Sequence, residues 1–210
     1  MQKLVVIGGG EFARVVIETA ELTGWQVLGF VDSNANEETV QRTGKPHLGD
    51  DSTLLSFADD ARFILGVGCI KVSDAREAIV HRLSLPRDRW ASIVHPRASV
   101  SGSAQLAPGS IVLAGAVVAT GASIGAHTII NLGAKIDHDC RVGDFVHLCP
   151  QVALGGCAIV ENGAFIGMGA IVRDHTRVAE KTIVGLGTVV NKPFPARSVL
   201  VGVPARQLTT

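Results

Sequence analysis

The chain has 210 residues, with 19 basic and 19 acidic side chains, so it carries no formal net charge when its histidines are neutral. That balance gives no electrostatic argument for nucleic acid or an acidic membrane as a partner. No run of about eighteen apolar residues is present to span a bilayer. The apolar start, Leu4 to Ile7, is interrupted by Gly8-Gly9-Gly10-Glu11 too soon for a signal peptide, so a cytoplasmic protein is expected.

The front of the chain reads as alternating strands and helices. Lys3 to Ile7 is a short apolar strand. Gly8-Gly9-Gly10 follows, then a helical pattern from Phe12 to Leu22 with Val15, Val16 and Thr19-Ala20 on it and Gly24 placed to end it. Val27 to Val31 is a second strand closed by Asp32, and Arg62 to Leu65 a third, followed by Gly66-Val67-Gly68. Asp74 to Leu83 is a second helix. This order predicts a Rossmann-like α/β domain with a parallel sheet over residues 1–90. A glycine turn between strand and helix lets the backbone approach a phosphate, which the helix N-terminus favours. The turn is not a full G-x-G-x-x-G, because Ala13 stands where a third glycine would be. Asp32, at the end of the second strand, is where such folds hold a ribose or base.

From residue 91 to residue 210 the organisation changes. Every sixth residue from Val94 through Val100, Leu106 and Val112 to Val190 is Val, Leu or Ile. Four residues after each comes a second ladder, from Ala98 through Ala104, Ser110 and Ala116 to Thr188, whose members are nearly all small. Glycines recur beside the first ladder at Gly125, Gly143, Gly155, Gly167 and Gly185. The composition agrees with this, having 24 glycines and no tyrosine: a core poor in aromatics has to be filled by layers of aliphatic side chains. Period six is neither helical nor a simple strand alternation. It predicts short strands separated by tight turns, coiled so that each rung buries its apolar side against its neighbours. A β-sandwich would not hold one register over so long a stretch. Cys69, Cys140, Cys149 and Cys157 form no C-x-x-C, and in a reducing compartment they read as small buried hydrophobes.

At this point the sequence resembles the hexapeptide-repeat acyltransferases. The resemblance implies a left-handed parallel β-helix with three hexads per turn, a homotrimer, and acyl-CoA sites in grooves between neighbouring helices. The closing segment Val201-Gly202-Val203-Pro204-Ala205-Arg206 is similar to the family's usual ending near CoA. Both halves together resemble the narrower NeuD-like group of sialic-acid and bacterial amino-sugar acetyltransferases. The pieces that carry this are Val6-Ile7-Gly8-Gly9-Gly10, Phe30-Val31-Asp32, Ile93-Val94-His95-Pro96, Asn131 with His138-Asp139-Cys140, and Gly143-Asp144-Phe145-Val146-His147. The family has Gly-His where this chain has Glu11-Phe12, and Asn residues where it has Cys69-Ile70. Both departures lie near the expected sugar-nucleotide pocket. The resemblance implies that the front domain holds a nucleotide-linked amino sugar, through Gly8, Gly9, Gly10, Glu11, Phe12, Asp32, Ser33 and Gly68. It implies that the β-helix holds acetyl-CoA. The product would feed surface polysaccharide or glycan synthesis.

Acyl transfer from a thioester to an amine needs a base, an aligned carbonyl and a stabilised oxyanion. Of seven histidines, His138 stands out because it lies in Ile136-Asp137-His138-Asp139 between carboxylates that would fix its tautomer and raise its basicity. By resemblance it is the general base and Asp139 its partner. Adjacent residues on a regular strand face opposite sides, so the pair meets only if the chain bends there; otherwise Asp137 is the partner. His147, nine residues on, falls on a different side of the same coil, and by resemblance contacts acetyl-CoA across a subunit boundary. Asn131, one hexad before the base segment, reads either as a bond to the sugar or the cofactor or as part of a stacked polar ladder. Gly156, Gly167, Met168 and Leu186 match CoA-contacting positions of the family, and Arg76 is either a phosphate contact or a solvated helix residue. No metal is expected: His127, His138, His147 and His175 do not have the spacing of a zinc hydratase on this fold. O-acetylation of a sialic acid, with the same base, and non-catalytic sugar-nucleotide binding are the alternatives.

Overall fold

A computed structural model describes residues 2–57, 61–68 and 73–208. The chain divides into two compact units, Met1–Pro96 and Arg97–Thr210.

In the first unit, β1 (Lys3–Ile7), β2 (Gln26–Val31) and β3 (Ala61–Leu65) form a parallel sheet in the order β2-β1-β3. Helix α1 (Glu11–Leu22) connects β1 to β2 and buries Ala13, Val16, Ile17, Thr19 and Ala20, the face its apolar spacing specifies. Gly24 follows it in a left-handed conformation, φ 84°. A helix not read from the sequence, α2 (Glu37–Thr43), is set by a capping box. There the Thr39 N–H donates to Asn36 Oδ1 at 2.9 Å, and the Asn36 N–H donates back to Thr39 Oγ1 at 3.3 Å. Helix α3 runs from Ser73 to Leu83. One side of the sheet packs Val5, Ile7 and Val31 with Phe63, Leu65, Leu54 and Trp90. With the order β2-β1-β3, the strand order reverses at the carboxyl ends of β1 and β3, the place where open α/β sheets form a crevice. The loops that follow those two strands are the two glycine turns.

The second unit is a left-handed parallel β-helix of two-residue strands. Residues eighteen apart are neighbours: Ile129, His147, Phe165 and Ile183 stack on one flat side, Lys135, Ala153, Ile171 and Val189 on the second, and Arg141, Ile159 and Arg177 on the third. The aliphatic ladder points inward and is buried from Val112 to Val190, whereas Val100 and Leu106, near the first rung, are only half-buried. A terminal rung has a neighbour on one side only. The second ladder is buried from Ser110 to Thr188. Its members stand beside corners where the backbone turns through positive φ, at His127, Asp139, Phe145, Gln151, Cys157, His175 and Lys181 among others. Val199–Val201, the last strand of the parallel stack, pairs antiparallel with Arg206–Gln207, so the chain doubles back after the final coil. No helix among the described residues is long and apolar enough to cross a membrane.

Candidate functional site

In the first unit the glycine turn is built by close approach. A Cβ on Gly8, whose φ is 95°, would stand 2.6 Å from the Val67 side chain, and one on Gly68 would stand 2.8 Å from the Phe12 ring. The loops after β1 and β3 therefore touch through positions with no side chain. A Cβ on Gly66 would stand 2.9 Å from the methyl group of Ala13, the third position of the glycine motif, so Gly66 too has to lack a side chain. Gly9 is hemmed in by Phe30 and Thr39. Gly10 is the N-cap of α1 and has open space around it. Glu11, exposed in the first turn of α1, already supplies a negative charge where a phosphate would sit.

Asp32 has a structural task. One of its carboxylate oxygens accepts from the Gly9 N–H at 2.8 Å and the other from the Asn34 N–H at 2.9 Å. It therefore ties the glycine turn to the end of β2, while Ser33 is exposed beside it. His47 escaped the sequence reading. Its Nε2 lies 3.0 Å from the Asp32 carbonyl oxygen, and its ring stacks on Phe30 with centroids 5.4 Å apart. No local motif announces it, because a long connection brings it beside β2. Arg76 is buried, which corrects the reading of it as a solvated helix residue. Cys69 and Ile70 lie outside the described residues.

In the second unit the strands Lys135–Ile136 and Arg141–Val142 leave Asp137 to Cys140 at a corner. Asp139 has φ 56° there, so two adjacent side chains come together that a flat strand would part. His138 Nδ1 and Asp139 Oδ2 are 3.0 Å apart. A carboxylate only accepts, so Nδ1 carries the proton and Nε2 presents its lone pair. Asp137 instead accepts the His138 backbone N–H at 2.7 Å. The hydrogen bond that His138 donates to Asp139, followed by the charge of Asp137, raises the His138 pKa above the ordinary imidazole value. The ring lies over Gly156, where a Cβ would be 2.5 Å from Nε2.

The other expected positions fall elsewhere on the coil. His147 is on a flat side, only 9% exposed, edge-on to Phe165 and 3.3 Å from Asn131 Nδ2. One chain does not bring it to His138, as the nine-residue separation implies. The Gly167 N–H donates to the Val184 carbonyl at 2.8 Å, and a Cβ there would be 2.6 Å from that oxygen. Gly167 thus serves the stacking of coils. Met168 and Leu186 occupy equivalent places on successive turns and are 53% and 73% exposed, an apolar step open to solvent. Cys140 and Cys149 are buried, and Cys157 is half-buried.

Comparison with known proteins agrees with the fold. The PglD N-terminal domain family matches residues 3–83. A perosamine N-acetyltransferase mutant from Caulobacter crescentus, solved in complex with CoA and GDP-perosamine, is 34% identical to this chain with a TM-score of 0.89, covering 99% of this chain and 97% of its own. The chain belongs to this family of hexapeptide-repeat sugar acetyltransferases. The acetyltransferase domain of PglB from Neisseria gonorrhoeae FA1090 is 31% identical, with a TM-score of 0.88 and coverage of 99% and 100%. GDP-perosamine N-acetyltransferase of Escherichia coli O157:H7 is 30% identical over 123 residues, 56% of this chain and 55% of that protein. The chain thus spans about half the length, or less, of the first curated relatives that it matches.

Proposed function

We propose that this family member transfers the acetyl group of acetyl-CoA to the 4-amino group of a nucleotide-linked amino-deoxy sugar, the nucleotide being UDP, GDP or dTDP. The observation that carries the reading is the His138–Asp139 pair, at 3.0 Å on an exposed corner of the β-helix. The solved relative that shares this whole-chain fold holds CoA and GDP-perosamine, which makes a GDP-linked sugar the first to try.

In this mechanism His138 Nε2 takes a proton from the sugar amine as its nitrogen attacks the thioester carbonyl. The C–N bond forms, the C–S bond breaks, and the CoA thiolate leaves with the proton held on His138. Asp139 holds Nδ1–H, fixes the tautomer and favours the imidazolium. The Gly156 N–H, which donates to none of the described residues, is assigned to the oxyanion. Met168 and Leu186 offer CoA its apolar contact. In the first unit, Gly8, Gly9, Gly10 and Gly68 let a nucleotide approach the backbone, with Phe12 and Ser33 beside it. Glu11 is better suited to a sugar hydroxyl or amine than to a phosphate, and Asp32 acts chiefly by holding the turn.

A homotrimer belongs to this reading. His138 and His147 stand on different parts of one coil, so a groove containing both needs a second chain, with Asn131 held beside His147. The second flat side of the coil carries Val117 and Ile171 outward, both exposed, with exposed Lys135 and half-buried Ala153 stacked between them, and this is the face assigned to a neighbouring coil.

The test is to incubate the protein with acetyl-CoA and a panel of nucleotide-linked 4-amino sugars, with the corresponding 4-hydroxy sugars and sialic acid alongside, and to weigh the products. One acetyl group added to an amino sugar is the expected result. Addition only to a hydroxyl acceptor would replace this reading with O-acetylation, and tight binding without product would replace it with a sugar-nucleotide sensor.

A further inference from the structure

Cys157 stands one full coil after Asp139, and its N–H donates to the His138 carbonyl at 2.9 Å. Asp139 and Cys157 both adopt left-handed backbone, φ 56° and 59°, so they occupy equivalent places on successive corners. A ring nitrogen of His138, a carboxylate oxygen of Asp139 and the Cys157 sulfur all lie within 4.8 Å of one another. His138 and Asp139 are exposed and Cys157 half-buried, so an ion has a path in.

We propose that His138, Asp139 and Cys157 form a binding site for zinc, and that zinc bound there inhibits the enzyme by occupying the imidazole that serves as base. The donor set of one nitrogen, one oxygen and one sulfur suits a borderline divalent ion and not magnesium or calcium, which take oxygen. Zinc bonds of about 2.0–2.3 Å place tetrahedral ligands about 3.3–3.8 Å apart. Rotamer shifts of roughly 1 Å would close the observed cluster to that size. The corners supply preorganisation, since two of the three ligands stand on equivalent positions of a rigid stack. Three protein ligands leave the fourth position to water. Thioester aminolysis by a histidine base has no need of the metal, so the site is inhibitory rather than a cofactor site.

The inhibitory part rests on the proposed acetyl transfer, and the binding part does not. The test titrates the whole protein with Co²⁺ and reads the thiolate-to-cobalt charge-transfer band. One equivalent per chain is expected. The band disappears in Cys157→Ser, and affinity falls by at least about tenfold in Asp139→Asn. Acetylation is then followed by product mass, because the CoA thiol itself binds zinc. The zinc concentration that halves the rate of Cys157→Ser, relative to that variant's own metal-free rate, is expected to be at least about tenfold above the wild-type value. No charge-transfer band in the wild type, or a band that survives Cys157→Ser, overturns the site. A band together with zinc-insensitive turnover overturns the inhibition. If no sugar is acetylated, the cobalt titration still decides the site.

Discussion

His138 and Asp139 meet because of one backbone dihedral. Their neighbours on a strand would point to opposite sides, but Asp139 lies at a corner with φ 56° and turns its carboxylate back to the ring. That carboxylate is the first cause of the raised His138 pKa. A base works in its neutral form, so activity should fall as pH drops through a value above the ordinary imidazole pKa. Asp139→Asn removes the largest cause of the rise, leaving the charge of Asp137. The acidic limb of the kcat/KM profile should move to lower pH, and kcat should fall by about one to two orders of magnitude. An acidic limb that stays in place would mean Asp139 does not tune the base. Gly156 matters to the same ring: a methyl group there would sit 2.5 Å from Nε2. Gly156→Ala should lower kcat by about tenfold or more while the melting temperature changes little. A large loss of stability with kcat per folded molecule intact would show that Gly156 serves packing alone.

At the scale of elements, the hexad ladder made almost all of the second unit legible. Its inward aliphatic residues are those that stepping by six picks out, and its small residues stand at the bends. The glycines beside the ladder have a reason visible only in three dimensions: at Gly155 and Gly167 the next coil's backbone passes too near for a side chain. Gly167→Ala should therefore cost about 1–3 kcal/mol of stability by overpacking, and Ile166→Ala in the core about 2–5 kcal/mol, both read from urea denaturation midpoints. A Gly167→Ala protein as stable as wild type would contradict the stacking argument. The first unit was less legible. Helix α2 is short and carries one large apolar residue, Val40, so no periodicity signals it; the Asn36–Thr39 capping box was the available sign. The bond from Gly9 to Asp32 joins residues 23 apart, and no sequence pattern separates such a structural carboxylate from one that holds a ribose.

For the whole molecule, the proposed assembly follows from what one coil leaves apart and uncovered. His147 and His138 do not share a groove within one chain, and Val117 and Ile171 face outward on one side. Sedimentation equilibrium should return three times the chain mass of 21.9 kDa. Ile171→Asp should shift the population toward monomer and lower kcat in step. A wild-type monomer at micromolar concentration that still turns over would remove the shared-groove reading, leaving His147 a buried residue of its own coil.

The central claim is a histidine-catalysed acetyl transfer to a sugar amine, and the most direct measurement is kcat/KM for wild type and His138→Ala with acetyl-CoA and the best nucleotide-linked 4-amino sugar. Turnover by the wild type and a fall of about 10²–10⁴-fold in the variant, the usual contribution of a general base, are expected. Equal rates in the two proteins would contradict it.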